Sequence, residues 1–89
     1  MKIALVAIAC KEDHYLREWF TYHHRIGFDE IYVYQNNWKF KEEVPDYVHL
    51  IDFPGMCQQI HAYNDFIENK SHDFDWALFI DVDEFFVPN

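Results

Sequence analysis

Three acidic residues, Asp81, Asp83 and Glu84, stand directly after an apolar run in the stretch ALFIDVDEFF, residues 77–86. Placing carboxylates beside a core strand costs several kcal/mol per charge unless something compensates. A divalent cation is one compensation. Held together without one, two carboxylates repel and one of them takes up a proton more readily. Hard cations with oxygen ligands fit such a pair, so magnesium or manganese is the expected ion. Residues two apart on a strand share a face and lie about 7 Å apart. That spacing favours one direct ligand over two. Asp83 is assigned to the metal, and Asp81 to a second metal contact, a water or a ligand hydroxyl. The competing reading is a solvated acidic strand end with Glu84 an ordinary loop residue. Phe85 and Phe86 are expected to pack beneath the motif as core residues.

The elements that must carry these residues are legible as alternating patterns. KIALVAIA, residues 2–9, is apolar on both faces, as a strand covered by helices on both sides is. HYLREWFTYHHRIG, residues 14–27, sets Tyr15, Leu16, Trp19, Phe20, His23 and Ile26 at helical spacing, with Asp13 available to cap the start and Gly27 the end. EIYVYQ (30–35) and YVHLIDF (47–53) read as strands separated by a polar loop. The stretch from residue 56 to 70 reads as a second helix with Ile60, Tyr63 and Ile67 on one side, and DWALFIDV (75–82) as a fourth strand. The order β-α-β-β-α-β predicts an α/β fold: an open parallel sheet of about four strands with crossover helices, Rossmann-like. Ligands in such sheets sit beyond the carboxyl ends of the strands, where Asp81 and Asp83 fall.

With 89 residues there is room for one small domain, and half of the residues are apolar. A four-stranded unit of this kind leaves a sheet edge open, so the chain reads as the N-terminal portion of a larger domain. The net charge of −9, from 7 basic and 16 acidic residues, repels phosphate backbones and excludes nucleic acid as a partner. A phosphorylated ligand would need a cation between it and the protein. No run approaches the roughly 20 apolar residues of a membrane span. No signal-peptide cleavage pattern follows the first strand, so a cytoplasmic or cytoplasm-facing chain is expected. Cys10 and Cys57 form no metal-spaced pattern and are expected to be reduced and largely buried.

Other candidates carry weaker signals. His23 and His24 are adjacent and point about 100° apart on a helix, which does not suit a shared ion; His23 on the apolar stripe reads as a core histidine. His61 and Asp65, four apart, read as a surface pair. Tyr32 and Tyr34 read as core. Trp38, in the polar loop, is the aromatic placed to stack on a base or sugar.

Taken together, ACKEDHYLREWFTYHHRIGFDEIYVYQNN, QIHAYNDFI and DWALFIDVDEFF resemble, in order and over nearly the whole chain, family-2-like and family-92-like glycosyltransferases of the GT-A fold. The resemblance implies a metal-dependent transferase that moves a sugar from a nucleotide-sugar donor to a glycan or lipid-linked acceptor hydroxyl. It implies Mn2+ or Mg2+ at the D-x-D motif, Asp81 and Asp83. Glu12 matches an acidic residue near the nucleotide, and Asn36 a position at the base and ribose. Gln59 and Asn64 match a third donor-side motif. Tyr15, Trp19, His23 and Gly27 match positions that build the helix. The chain departs from the pattern at Cys10, Lys11 and Gln35, where the family has Lys, Asn and Asp. By the same resemblance these residues hold the donor half of a site and not the acceptor segment or catalytic base. The implied setting is envelope polysaccharide or lipid-linked glycan synthesis, with peripheral membrane association of the full-length protein. Two other readings stand beside it. One is a nucleotide- or partner-binding fragment without turnover. The other is a phosphohydrolase with Asp81 as nucleophile, although that class puts its D-x-D on the first strand and has Thr or Val where Phe85 stands here.

Overall fold

The computed structural model describes the chain except for residues 11–12, 56–58 and 88–89, with residues 13, 14 and 59 described by backbone alone. Its elements are β1 (Ile3–Ala9), α1 (Asp13–Arg25), β2 (Glu30–Gln35), β3 (Val48–Asp52), α2 (Gln59–Asn69) and β4 (Trp76–Phe79), with a single 3-10 turn at Ser71–Asp73. The four strands form one all-parallel sheet in the order β3-β2-β1-β4. This is the open α/β sheet expected from the alternation of elements.

Side-chain alternation along β1 divides the core into two layers. Leu5, Ala7 and Ala9 meet Leu16, Trp19 and Phe20 of α1, with Ile31 and Val33 of β2. Ala4 and Val6 meet Ala62 and Phe66 of α2, with Tyr34. The period of two in the strands thus puts the helices on opposite faces. Each fully buried Leu or Phe contributes about 1.5–3 kcal/mol relative to exposure. Two carboxylates close the sheet at its amino edge: Asp29 accepts the Ile3 amide and Asp75 the Lys2 amide, both at 2.7 Å.

The stripe on α1 is as its spacing predicts, with Leu16, Trp19, Phe20 and His23 buried. The helix ends at Gly27, whose φ is +123°. There the Phe28 amide donates to the His23 carbonyl and the Gly27 amide to the His24 carbonyl, each at 3.2 Å, a Schellman pairing. The second helix is turned differently from its expected face. Ile60 and Ile67 are exposed, while Ala62 and Phe66 are buried and Tyr63 is half-buried against Phe79. The cause is a polar tie: Tyr34 of β2 donates to Asp65 at 2.6 Å, and Lys70 and Asn69 also bond that carboxylate. Asp65 therefore faces the sheet and does not pair with His61, which is exposed. Cys10 is exposed rather than buried, because it stands past the end of β1; Cys57 lies outside the described residues. Among the described residues, no helix is long and apolar enough to cross a membrane.

Candidate functional site

The chain runs outward from β1 to β2 and β3, then returns to place β4 on the other side of β1. The reversal falls between the carboxyl ends of β1 and β4, the place where open α/β sheets bind ligands. Cys10 leaves β1 there, and Ile80–Asp83 leave β4.

The two aspartates do not lie on the strand. Pairing in β4 stops at Phe79, with one more backbone bond from the Ile80 amide to the Val6 carbonyl at 3.2 Å. The next four residues form a β-turn, Asp81–Glu84. The Glu84 amide donates to the Asp81 carbonyl at 3.0 Å, and the Asp81 amide donates to Glu84 Oε1 at 2.9 Å. The first is the ordinary turn bond between main-chain groups, and the second is the side-chain half of a capping box. Strand spacing therefore does not govern Asp81 and Asp83. Val82 between them is buried in the core with Leu16 and Trp19, and both aspartates are exposed. Glu84 is more than a loop residue, since its carboxylate, amide and carbonyl all hold the turn.

Helix α1 grips the segment that follows. Trp19 Nε1 donates to the Glu84 carbonyl at 2.8 Å, and the Tyr22 hydroxyl to the Phe86 carbonyl at 2.7 Å. The Phe86 amide donates to His23 Nε2 at 3.0 Å. Phe85 stacks on the His23 ring at 5.6 Å and stands edge-on to Tyr22 at 5.2 Å. Phe85 and Phe86 are 40% and 42% exposed, so they are not the core residues their type predicts. Their backbone is drawn onto α1 by these bonds, which leaves the rings straddling its surface. Sequence reasoning passed over Tyr22 and read Glu84 only as one acid of the motif or as an ordinary loop residue. The three-residue offset of Glu84 from Asp81 was the available signal for the second.

Tyr15, Glu18, Asp83 and Phe85 line a hollow of about 360 Å³ at this corner. A larger one, about 810 Å³, is lined by Arg17, Glu18, Thr21, Tyr22, Arg25 and Phe85. It follows the outer side of α1 and holds neither aspartate, so the smaller hollow is the better candidate for a ligand on the motif. The donor set suits a hard cation in kind, two carboxylates on a tight turn. Among the described residues no group of three or more His, Cys, Asp or Glu is placed to hold one.

The other expected site residues are distributed as follows. Asn36 does reach the carboxyl edge, its amide on the Ala9 carbonyl at 2.9 Å. Its side-chain NH2 donates to the Phe53 and Gly55 carbonyls at 3.0 and 2.8 Å, so it clamps the turn after β3. Asn37, at φ +55°, adds two bonds to Gly55. Gln35, one of the departures from the resembled pattern, is buried and accepts the Phe40 amide at 2.7 Å, fixing the following loop. Trp38 in that loop is half-buried against Phe40 and the core. Asn64 sits on the exposed side of α2. Gln59 opens α2, but its side chain lies outside the described residues, as does all of Glu12. No protein-family model matches this chain, and no curated protein sequence matches it.

Proposed function

We propose that the chain is the donor-binding half of a metal-dependent glycosyltransferase of the GT-A kind, acting on a nucleotide-sugar donor and a glycan or lipid-linked acceptor. The observation that carries the reading is the position of the acidic turn: Asp81 and Asp83 stand at the switch point of the sheet, on a turn fixed at both ends. Fold analogy alone would not assign an activity. The support comes from the resemblance of the motifs together with that position.

In this reading Asp83, which faces the hollow, holds Mn2+ or Mg2+, and Asp81 holds the ion's water shell or a sugar hydroxyl. When bound, the ion would offset the charge that gathers on the departing nucleoside diphosphate. Val82, buried between the two exposed aspartates, anchors the turn in the core. Glu84 holds the turn shut through the Asp81 amide. Tyr15 and Phe85 offer apolar walls to the hollow. With a net charge of −9, the chain on its own repels a diphosphate. We place the protein in the cytoplasm or at the cytoplasmic membrane face, in envelope polysaccharide or lipid-linked glycan synthesis.

Calorimetry with UDP and GDP tests this. Manganese is expected to tighten binding of one of them by roughly tenfold or more, about 1.4 kcal/mol. Asp83→Ala is expected to abolish the manganese effect, and Asp81→Asn to reduce it. Equal nucleotide affinity with manganese and with chelator would remove the case for a metal-bridged donor.

A further inference from the structure

We infer that Trp19, Tyr22 and His23 are positioning residues for the acidic turn, and that His23 holds its end only while the imidazole is uncharged. The consequence for ligand binding rests on the function proposed above; the latch itself does not.

Hydrogen-bond polarity carries the inference. His23 is fully buried, and both ring nitrogens face backbone groups of fixed character. Nδ1 lies 2.8 Å from the Trp19 carbonyl, which can only accept, so Nδ1 carries the proton. Nε2 lies 3.0 Å from the Phe86 amide, which can only donate, so Nε2 must present its lone pair. Only the neutral Nδ1–H tautomer satisfies both. A second proton would go on Nε2 and face the Phe86 N–H donor to donor. The rings around the site, Trp19, Tyr22, Phe28 and Phe85, offer no replacement acceptor of comparable strength.

Among the described residues no charge nearby favours the imidazolium. The titratable and charged groups on the surrounding elements are Tyr22, His24 and Arg25 on α1, Asp29 beyond the Gly27 turn, and Asp83 and Glu84 before Phe86. Asp29 is bonded to the Ile3 amide and Glu84 to the Asp81 amide. Both imidazole nitrogens are engaged by backbone, so none of these carboxylates bonds the ring. Burial accordingly pushes the His23 pKa below its ordinary 6.5, against a smaller opposing effect of the Trp19 carbonyl. The sign follows. The neutral-state bond is fully present above the ordinary value and is lost as pH falls through the lowered one. Release of Phe86 loosens Glu84, two residues earlier, and through Glu84 the Asp81 turn.

Amide hydrogen exchange on the 89-residue chain, without metal or nucleotide, tests the latch directly. Phe86 protection, corrected for intrinsic exchange, is expected to be constant at neutral pH and to fall roughly five- to tenfold on acidification. In His23→Gln the amide oxygen can accept from Phe86 but cannot titrate, so its protection is expected to stay level. Wild-type protection that ignores pH, or an equal fall in the variant, overturns the proposal. Should that variant not fold, imidazole nitrogen shifts of the wild type decide. The Nδ1–H tautomer at neutral pH supports the latch, and Nε2–H refutes it. A second arm measures manganese-dependent nucleoside diphosphate affinity at neutral and acid pH. A steeper acid loss in wild type than in His23→Gln supports positioning, and identical losses refute it. A pH-dependent latch in a chain that binds no nucleotide at any pH would sink the functional reading and leave the latch standing.

Discussion

Tyr34 shows how one hydroxyl organises a layer. Its ring is buried between β2 and α2, and its hydroxyl donates to Asp65, which Lys70 and Asn69 also bond. Burial, then the hydrogen bond to Asp65, pushes the phenol well above its ordinary range. The same bond is the main reason that the Asp65 carboxyl lies below its ordinary value. A depressed carboxyl contributes stability that is present above its unfolded pKa and lost as pH falls through the folded one. Tyr34→Phe removes the donor but leaves Lys70 and Asn69 on Asp65. The expected cost is about 1 kcal/mol at neutral pH, read from urea unfolding. The variant should also lose less stability than wild type at acid pH, below the ordinary carboxyl range, because less of its Asp65 shift remains. A wild-type-like urea midpoint in Tyr34→Phe would show that the hydroxyl only fills space.

At the scale of elements, α1 has two duties, core packing along Leu16, Trp19 and Phe20 and the grip on residues 84–86. Both depend on where the helix stops. Gly27 turns the chain at φ +123°, a conformation that L residues rarely adopt, and a Cβ there would meet nothing within 4 Å. Gly27→Ala should therefore cost about 1–2 kcal/mol through backbone strain alone, with no steric term. Thermal or urea unfolding measures it, and an unchanged midpoint would mean that the turn relaxes freely. The stripe and its stop were legible in the sequence, because a spacing of three and four and a single glycine are local signals. The face of α2 was not. Ile60 and Ile67 are the larger apolar residues, yet the bond from Tyr34 to Asp65, 31 positions apart, turns Ala62 and Phe66 inward instead.

For the whole molecule, 16 acidic residues against 7 basic ones set the response to salt. The ion pairs present, such as Arg17–Glu42 and Lys39–Asp52, are exposed and contribute little. Repulsion among the remaining carboxylates opposes compaction and is screened over about 10 Å at 0.1 M salt. Raising sodium chloride from low salt to about 0.2 M is expected to raise the urea midpoint measurably. A lower midpoint would mean that the exposed ion pairs outweigh the net charge.

The order of strands and helices, the parallel sheet and the location of Asp81 and Asp83 at a strand's carboxyl end were determined by the sequence itself, since alternation, periodicity and chain breaks act over a few residues. Tertiary structure alone decided the rest. It made the acidic motif a closed turn, gave the Asn36 side-chain amide to the backbone after β3, and gave the core residue His23 the Phe86 amide, 63 positions away, to accept. Those outcomes depend on which backbone groups long-range packing leaves in need of a partner, and no local pattern records that need.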